Sequence, residues 1–217
     1  MTDAPRTPRG RPRLGSASML EDAAFELFLE NGYAGTTVEQ ISVRAGVSRN
    51  TFFNYFAAKS DVFWVGLDAS IDRVAELLAR PADDMEPAER IRNALVEAAT
   101  ALGPSAVPWV LTHYELIGST HEVMASAIGR ATRLTQLLAA SAGTGYGCDA
   151  SDPLPRTLST AAVGATIAAM QSWAQAGPQR GELGPHLALS LEPVLAGFSG
   201  AESGPKSLSQ GLANREA

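Results

Sequence analysis

Apolar residues recur with a helical period in two short neighbouring segments between residues 36 and 59, and this pattern predicts two helices. The apolar stripe of the first segment consists of Val38, Ile41 and Ala45. Gly46 follows, in the position where a residue of left-handed conformation commonly ends a helix. In the second segment Phe52 and Phe56 lie one turn apart, so both rings are predicted to face the interior.

Polar residues at the ends of these segments predict where each helix begins. Thr36 or Thr37 begins the first helix, because Glu39 or Gln40 lies three residues later and completes a capping box. Ser48 is the predicted N-cap of the second helix. The residues left facing outward from its first turn are Arg49, Asn50 and Thr51. Two helices joined by a short turn with a glycine form a helix-turn-helix, whose second helix reads base edges with its N-terminal residues.

Helical periodicity continues through most of the remaining chain and predicts an all-α fold. A helix from Ser18 to Asn31, capped by Ser18 with Glu21, closes a three-helix unit with the helix-turn-helix. A helix from Ser60 to about Arg80, capped by Ser60, links this unit to the rest. Further helices are predicted at residues 87–102, 105–118, 120–142, 153–176 and 185–199. The predicted parts are a disordered basic arm (1–15), the helix-turn-helix domain (16–59), a helical domain (60–199) and a disordered tail (200–217).

A run of about thirty residues matches a known signature in order and spacing. The matching residues are Gly32-Tyr33, Thr36-Thr37-Val38, Ile41, Ala45-Gly46-Val47-Ser48, Thr51-Phe52, Tyr55-Phe56, Lys59 and Val62. This run resembles the DNA-binding signature of the TetR family of transcriptional regulators. The resemblance implies a repressor that binds a palindromic operator in double-stranded DNA as a homodimer. It also implies a C-terminal ligand-binding and dimerisation domain, through which a small-molecule effector releases the protein from DNA.

The resemblance also gives each outward residue of the helix-turn-helix an expected role. Arginine suits guanine and asparagine suits adenine, so Arg49 and Asn50 are expected to read bases, with Arg44 nearby. The other candidates for DNA contact, mainly to phosphates, are Thr36, Thr37, Ser48, Thr51, Tyr55 and Lys59. Phe53 departs from the family, which usually has a tyrosine there whose hydroxyl meets a phosphate. Phenylalanine lacks that hydroxyl, so one phosphate contact is not expected here.

Four arginines precede the first predicted helix, and the last three are separated by single glycine and proline residues. The run Arg9-Gly10-Arg11-Pro12-Arg13 resembles a minor-groove arm of the AT-hook type. Narrow A·T-rich minor grooves attract arginine because their negative potential is enhanced. A basic tail that only aids solubility would have the same composition. The position directly before a helix-turn-helix favours the arm.

Charge and composition exclude several classes of protein and of site. The net charge is −6, but residues 1–60 contain 7 basic and 6 acidic residues, whereas the remainder contains 10 and 17. The acidic second part excludes a DNA-packaging protein, which would be basic throughout. A single cysteine, Cys148, excludes an internal disulfide and a multi-cysteine metal site. No apolar run is long enough to span a bilayer and no apolar signal core is found, so a cytoplasmic location without a membrane partner is expected.

The helices of the second part carry candidates for a dimer surface and for an effector pocket. Small residues recur along the helix at 157–176, at Ala161, Ala162, Gly164, Ala165, Ala168 and Ala169. With the helix at 185–199 they form a candidate dimer surface, but a tight internal core would show the same pattern, and it is the resemblance to the TetR family that implies dimerisation. Candidate pocket residues are Trp109, Tyr114, Met124, Ile128, Met170 and Trp173. Methionine and aromatic side chains suit an adaptable cavity for an apolar or amphipathic effector, and core packing is the alternative interpretation.

Scattered residues of the second part resemble a TetR subgroup that includes regulators of the mycofactocin system. They are Trp64, Leu67-Asp68, Tyr114 to Ile117, Ala125 and Gly129-Arg130, together with the Phe52-Phe53 pair. Members of that subgroup are associated with acyl-CoA-like ligands. The resemblance therefore implies that Arg130 or Arg133 meets a phosphate while the aromatic residues hold an acyl chain.

The alternative function is a small-molecule-modifying or metal-dependent enzyme with an accessory helix-turn-helix. Its candidate residues are His113, Glu115, His121 and Glu122. His113 and His121 are eight residues apart, which matches no strong zinc motif, and no nucleophile elbow or phosphate loop is found. The sequence therefore predicts no enzyme, no metal and no cofactor.

Overall fold

The computed structural model describes residues 13–81, 85–103, 109–113 and 121–200, except for the side chains of residues 13–16 and of Pro178. All regular elements in these ranges are helical, which confirms the predicted all-α class. None of these helices combines the length and the apolar character needed to cross a lipid bilayer. The disordered arm up to residue 12 and the disordered tail from residue 201 were predicted for residues outside the described ranges.

The described part of the chain contains the following α-helices. They are α1 (Arg13–Gly35), α2 (Val38–Arg44), α3 (Arg49–Phe53), α4 (Val65–Ala79), α5 (Pro87–Thr100), α6 (Trp109–Thr112), α7 (His121–Tyr146), α8 (Pro153–Gln175) and α9 (Leu183–Leu195). Short 3₁₀ helices lie at Lys59–Trp64, Gly177–Gln179 and Ala196–Phe198. The predicted helix 105–118 is described only at Trp109–Thr112 and His113, and its other residues lie outside the described ranges.

The described residues divide into two compact units. The first contains those of the ranges Met1–Val65 and Pro108–Ala127, and the second those of Gly66–Val107 and Ile128–Ala217. This division differs from the predicted boundary after residue 59. Aromatic packing explains the difference, because the ring of Trp109 stacks on Phe25 at 5.1 Å and on Phe63 at 5.8 Å between centroids.

Helix α1 forms one wall of the core of the first unit. Its predicted inner face is buried, at Leu20, Ala24, Leu27 and Phe28. The ring of Phe28 lies 5.1 Å from that of Phe63 and 5.3 Å from that of Tyr33. Apolar side chains spaced by one helical turn thus hold α1 against the segments that carry the helix-turn-helix.

The second unit is a bundle whose core is filled from α4, α5, α7, α8 and α9. Its most deeply buried side chains are Ile91, Leu138, Leu158, Leu187, Leu191 and Trp173. Helix α9 approaches α5 closely at Gly184, where a Cβ atom would collide with the hydroxyl of Thr100. A larger residue at this crossing would require the Thr100 side chain to move.

Two predicted helix starts are wrong. Helix α1 begins at Arg13, so residues 13–15 of the predicted arm are helical and Ser18 lies inside the helix, where it cannot serve as N-cap. No proline interrupts residues 13–17, and serine and glycine are tolerated in a helix at modest cost. The predicted end is present, because Gly32 leaves the helical conformation with φ of +71°.

The predicted helix 60–80 starts as the 3₁₀ helix Lys59–Trp64 and continues as α4. Ser60 is buried within the 3₁₀ helix and does not cap it. The carboxylate of Asp61 accepts the N–H of Ala58 at 2.9 Å instead. The helix begins at Lys59, so Ser60 lies too late in the sequence to cap it, and Asp61 satisfies the amide that precedes the first residue.

Candidate nucleic-acid interface

Both helices of the helix-turn-helix begin with the capping residues that the sequence predicted. The Thr37 side chain accepts the N–H of Gln40, and the Gln40 side chain accepts the N–H of Thr37 at 2.8 Å, which completes a capping box. The turn passes through Gly46 with φ of +67°. Ser48 then accepts the N–H of Thr51 at 3.1 Å and starts α3. These local bonds fix the residue at which each helix begins.

Helix α3 has one buried side and one exposed side. Phe52 is fully buried, and its ring centroid lies 5.2 Å from that of Phe56 and 5.5 Å from that of Phe53. Arg49 and Asn50 are exposed in the first turn. The helix thus presents a cation and an amide to solvent, the two groups best suited to guanine and adenine edges in the major groove.

Phe53 shares the exposed side with Arg49, one helical turn away. The residue is 45% exposed, so its ring is accessible from solvent. The guanidinium carbon of Arg49 lies 5.4 Å from the ring centroid, within the range of a cation–π contact. This contact gives Arg49 a preferred orientation over the helix surface.

Thr36 is the first candidate whose expected DNA contact the structure contradicts. The residue is 1% exposed. Its hydroxyl lies 3.1 Å from the carbonyl oxygen of Leu27 and 2.9 Å from that of Gly32, and it donates its proton within this pair. Thr36 therefore closes the end of α1, and no phosphate can reach its side chain.

Lys59 also has a different role from the expected phosphate contact. Its ammonium donates to the carbonyl oxygens of Tyr33 at 2.7 Å and Thr36 at 2.8 Å, and it lies 3.9 Å from the centroid of the Tyr33 ring. Desolvation lowers the pKa of Lys59, while the charge of Glu122 opposes that shift. Burial of the Tyr33 hydroxyl raises its pKa, and the hydrogen bond and charge of Glu122 raise it further. Lys59 thus ties the end of α1 to the 3₁₀ helix.

Lys59→Met should therefore destabilise the fold by about 1–3 kcal/mol, because two carbonyl acceptors lose a charged donor. Urea unfolding followed by tryptophan fluorescence measures this loss. The dependence of DNA affinity on salt, measured where the variant is folded, should keep its slope. A slope smaller by about 0.9 would instead show that Lys59 neutralises a phosphate.

Arg44 is paired with two carboxylates of α1. Its guanidinium lies 3.0 Å from Glu26 and 2.7 Å from Glu30. The hydrogen bond from Arg44 lowers the pKa of Glu30, and both glutamates raise the pKa of Arg44. The guanidinium is thus held against α1, and reaching a base would require it to leave both partners.

The other predicted DNA contacts keep surface positions or lie outside the described side chains. Thr37 and Ser48 are exposed, while Thr51 and Tyr55 are half-buried. The hydroxyls of Ser48 and Thr51 lie 2.9 Å apart. Arg9 and Arg11 lie outside the described residues, and Arg13 is described only as the first backbone position of α1. The phosphate contacts and the minor-groove arm stay predictions.

The residues of the predicted effector pocket fall into both units. Trp109 belongs to the aromatic cluster of the first unit, where His113 stacks on it at 4.3 Å. Met124, in the same unit, is exposed. Tyr114 lies outside the described residues.

The other three pocket candidates belong to the second unit. Trp173 is fully buried in its core, and Met170 packs against that core. Ile128 is exposed. A cavity of about 430 Å³ in this unit is lined by none of the predicted pocket residues. Its lining is Thr135, Gln136, Ala139, Asp149, Ala150, Ser151, Arg156, Ser159 and Thr160.

Arg130 and Arg133 make ion pairs with α4 that the sequence pattern did not predict. Arg130 donates to both oxygens of Asp68, at 2.9 and 2.7 Å. Arg133 donates to Asp72 at 2.6 Å. The one signal in the sequence is that Asp68 and Asp72 are four residues apart and therefore lie on the same face of α4. An effector phosphate at either arginine would compete with a carboxylate already in place.

The candidate residues of an enzyme do not form a metal site in the described part of the chain. No group of three histidine, cysteine, aspartate or glutamate side chains there is arranged to hold an ion. The ring of His113 stacks on Trp109, and its Nδ1 lies 2.9 Å from the Thr112 hydroxyl. Glu115 lies outside the described residues.

Comparisons with known proteins match both the helix-turn-helix and the helices that follow it. A putative mycofactocin biosynthesis transcriptional regulator, MftR of Mycobacterium tuberculosis, is 25% identical over 167 residues, which are 76% of this chain and 82% of that protein. The crystal structure of FadR of Thermus thermophilus, a TetR-family repressor in complex with lauroyl-CoA, is 27% identical with a TM-score of 0.53. It covers 87% of this chain and 97% of its own.

The fold is also that of NalD, the secondary repressor of the MexAB-OprM efflux pump in Pseudomonas aeruginosa. That structure is 21% identical, with a TM-score of 0.58 over 86% of this chain and 98% of its own. The family model of bacterial regulatory proteins of the TetR family matches residues 20–63, which carry the helix-turn-helix. The model of the MftR C-terminal domain matches residues 85–199. The chain therefore belongs to the TetR family of transcriptional regulators, and its second part is a C-terminal domain of the MftR type.

Proposed function

We propose that this regulator is a repressor that binds a palindromic operator as a homodimer and leaves it when an amphipathic effector binds. The observation that carries the proposal is the exposed face of α3. Arg49 and Asn50 stand free of the core at the start of a helix that the buried Phe52 anchors. Such a face fits the major groove, where its two polar residues meet base edges. Its site of action is then the DNA of the cytoplasm.

Exposed apolar and small residues on α8 and α9 support dimerisation. Gly164, Ile167 and Ala168 are exposed on α8, although Ala162 and Ala169 of the same helix are buried in the core. Leu189 is exposed on α9. A dimer that buries these residues would place two recognition helices on one duplex. A single short helix binds too weakly to select its site in a genome. Sedimentation of the purified protein at twice the mass of 22.7 kDa supports this step.

The proposed effector is a molecule with an acyl chain and a phosphate-bearing head, such as an acyl-CoA. Support comes from the lauroyl-CoA complex of the Thermus relative and from the MftR-type second domain. Arg130 and Arg133 are the two arginines of α7, and in the proposed complex one of them exchanges its carboxylate partner for the phosphate. Calorimetric titration with acyl-CoAs and with the matching free fatty acids tests this: heat only with acyl-CoA supports the head-group contact, and heat with neither refutes the effector class.

Release from DNA requires that the effector bind one conformation better than the other. A ligand shifts such an equilibrium only by its difference in affinity for the two states. The proposed DNA-incompetent state is one in which the helices of the second domain repack and change the spacing of the two recognition helices. Addition of effector to the protein–operator complex should then lower the apparent DNA affinity, and an unchanged affinity contradicts release.

The operator itself is obtained by selecting bound duplexes from random DNA with the full-length protein. A palindromic sequence with half-sites about one helical turn apart is expected. Enrichment of no sequence at low ionic strength would contradict the proposed function. Fluorescence anisotropy with the selected duplex and a scrambled one gives the specificity ratio for all later comparisons.

Arg49→Ala should weaken binding to the selected operator by about 1–3 kcal/mol and relax the preference at one base pair. The scrambled duplex should lose less, since a base contact is specific to the cognate site. Arg156→Ala is the matched control, because it removes the same charge from an exposed position of the second unit. Equal losses on both duplexes for Arg49→Ala would show that Arg49 contacts a phosphate.

A further inference from the structure

We propose that Phe53 reads the methyl group of a thymine in the operator, on the base pair next to the guanine that Arg49 reads. The inference rests on the proposed function and deepens it, because it assigns base recognition to an apolar residue. The observation behind it is an aromatic ring that is 45% exposed beside the predicted base-reading residues. Contact of this ring with an apolar group of the DNA would remove apolar surface from water, which is favourable.

The ring of Phe53 is held in one orientation from two sides. It meets the buried ring of Phe52 edge-on, at an interplanar angle of 82° and a centroid distance of 5.5 Å. The guanidinium of Arg49 lies over its face at 5.4 Å. The ring is therefore positioned before DNA binds, so contact with a base costs little conformational entropy.

The chemistry of the major groove identifies the partner. The C5-methyl group of thymine is the apolar group that base edges present there, and every other recognition feature is a hydrogen-bond donor or acceptor. Phe53 can offer neither donor nor acceptor, so the thymine methyl is the groove feature that it can recognise. A phosphate would gain nothing from the ring.

The distance between the two side chains sets the spacing of their targets. Arg49 and Phe53 are four residues apart and therefore lie on one face of α3. Their groups are 5.4 Å apart, which is less than two base-pair steps of about 3.4 Å each. Guanine and thymine on neighbouring base pairs fit this separation. The pair then recognises a two-base-pair step, with specificity shared between a charged and an apolar side chain.

The test replaces single thymines of the selected operator by deoxyuracil, which pairs identically but lacks the methyl group. One thymine per half-site, next to the guanine whose preference depends on Arg49, should show an affinity loss of about fourfold when replaced. Replacement of any other thymine should cause the same change in affinity in the wild type and in the Phe53 variant. In Phe53→Ala the loss at that thymine should disappear. Leu29→Ala, an exposed apolar residue on α1, is the control and should retain the loss.

Three results overturn the inference. The first is a wild-type protein for which no uracil substitution matters, a measurement that needs no variant. The second is a fourfold loss that persists in Phe53→Ala, whose fold is checked by circular dichroism. The third is a selected half-site with no thymine next to that guanine. If no duplex is selected at all, the operator-binding proposal fails. If an operator is selected but one of these three results is obtained, only the inference about Phe53 fails.

Discussion

Phe52→Ala is expected to lower the free energy of unfolding of the helix-turn-helix by about 3–5 kcal/mol and to abolish operator binding. The ring is fully buried and contacts the rings of Phe53 and Phe56. Helix α3 is only five residues long, far below the length at which an isolated helix is stable in water. Its conformation therefore depends on this one side chain, and the cavity left by alanine removes its main anchor.

Urea unfolding monitored by far-ultraviolet circular dichroism measures this effect, with loss of anisotropy on the selected operator as the functional readout. Leu29→Ala is the matched control, since it removes an apolar side chain that is 57% exposed from the same unit. The control should change stability by less than about 0.5 kcal/mol. A Phe52→Ala protein that still recognised its operator would show that α3 does not depend on this ring.

Trp173→Ala should lower the free energy of unfolding of the second unit by a similar amount, about 3–5 kcal/mol, because it leaves a cavity in the core. The indole is fully buried and its N–H donates to the carbonyl oxygen of Gly181 at 3.0 Å. The guanidinium of Arg180 lies 5.6 Å from the ring. Removing the indole therefore also leaves a backbone acceptor without its donor.

This variant separates two interpretations of Trp173. If the residue belongs to the core, thermal unfolding shifts to a much lower midpoint, whereas Gln171→Ala, at an exposed position of the same helix, leaves the midpoint nearly unchanged. If it lines an effector pocket, as the sequence predicted, stability should change little and effector affinity should fall. Differential scanning calorimetry with and without an acyl-CoA measures both quantities.

The helix-turn-helix could be predicted almost residue by residue because its determinants are local. The capping bonds of Thr37 and Ser48 join residues three apart, and Gly46 needs only its own positive φ. The burial of Phe52 and Phe56 follows from their spacing alone. The fold class followed for the same reason, because helical periodicity is a short-range pattern.

The roles of Thr36, Arg44 and Lys59 could not be predicted in this way, because their partners are distant in sequence. Lys59 bonds carbonyl oxygens 26 and 23 residues away, and Arg44 pairs with a glutamate 18 residues away. A basic residue beside a helix-turn-helix has the same appearance in sequence whether it faces a phosphate or a backbone carbonyl. Only the position of α1 decides between these alternatives.

The predicted effector pocket shows a different limit of sequence patterns. Tryptophan and methionine at helical spacing indicate an apolar environment but do not distinguish a packed core from a cavity. Trp173 lies in a core and Met124 is exposed to solvent, although both fitted the same description. The distinction depends on how several helices pack together.

The ion pairs of Arg130 with Asp68 and of Arg133 with Asp72 limit how α7 can slide along α4. The two aspartates are four residues apart and the two arginines three apart, so each set is spaced by about one helical turn. A displacement of half a turn breaks both pairs, whereas a full turn of about 5.4 Å lets one arginine exchange its aspartate for the other. The two pairs together therefore favour whole-turn offsets between these helices over intermediate ones.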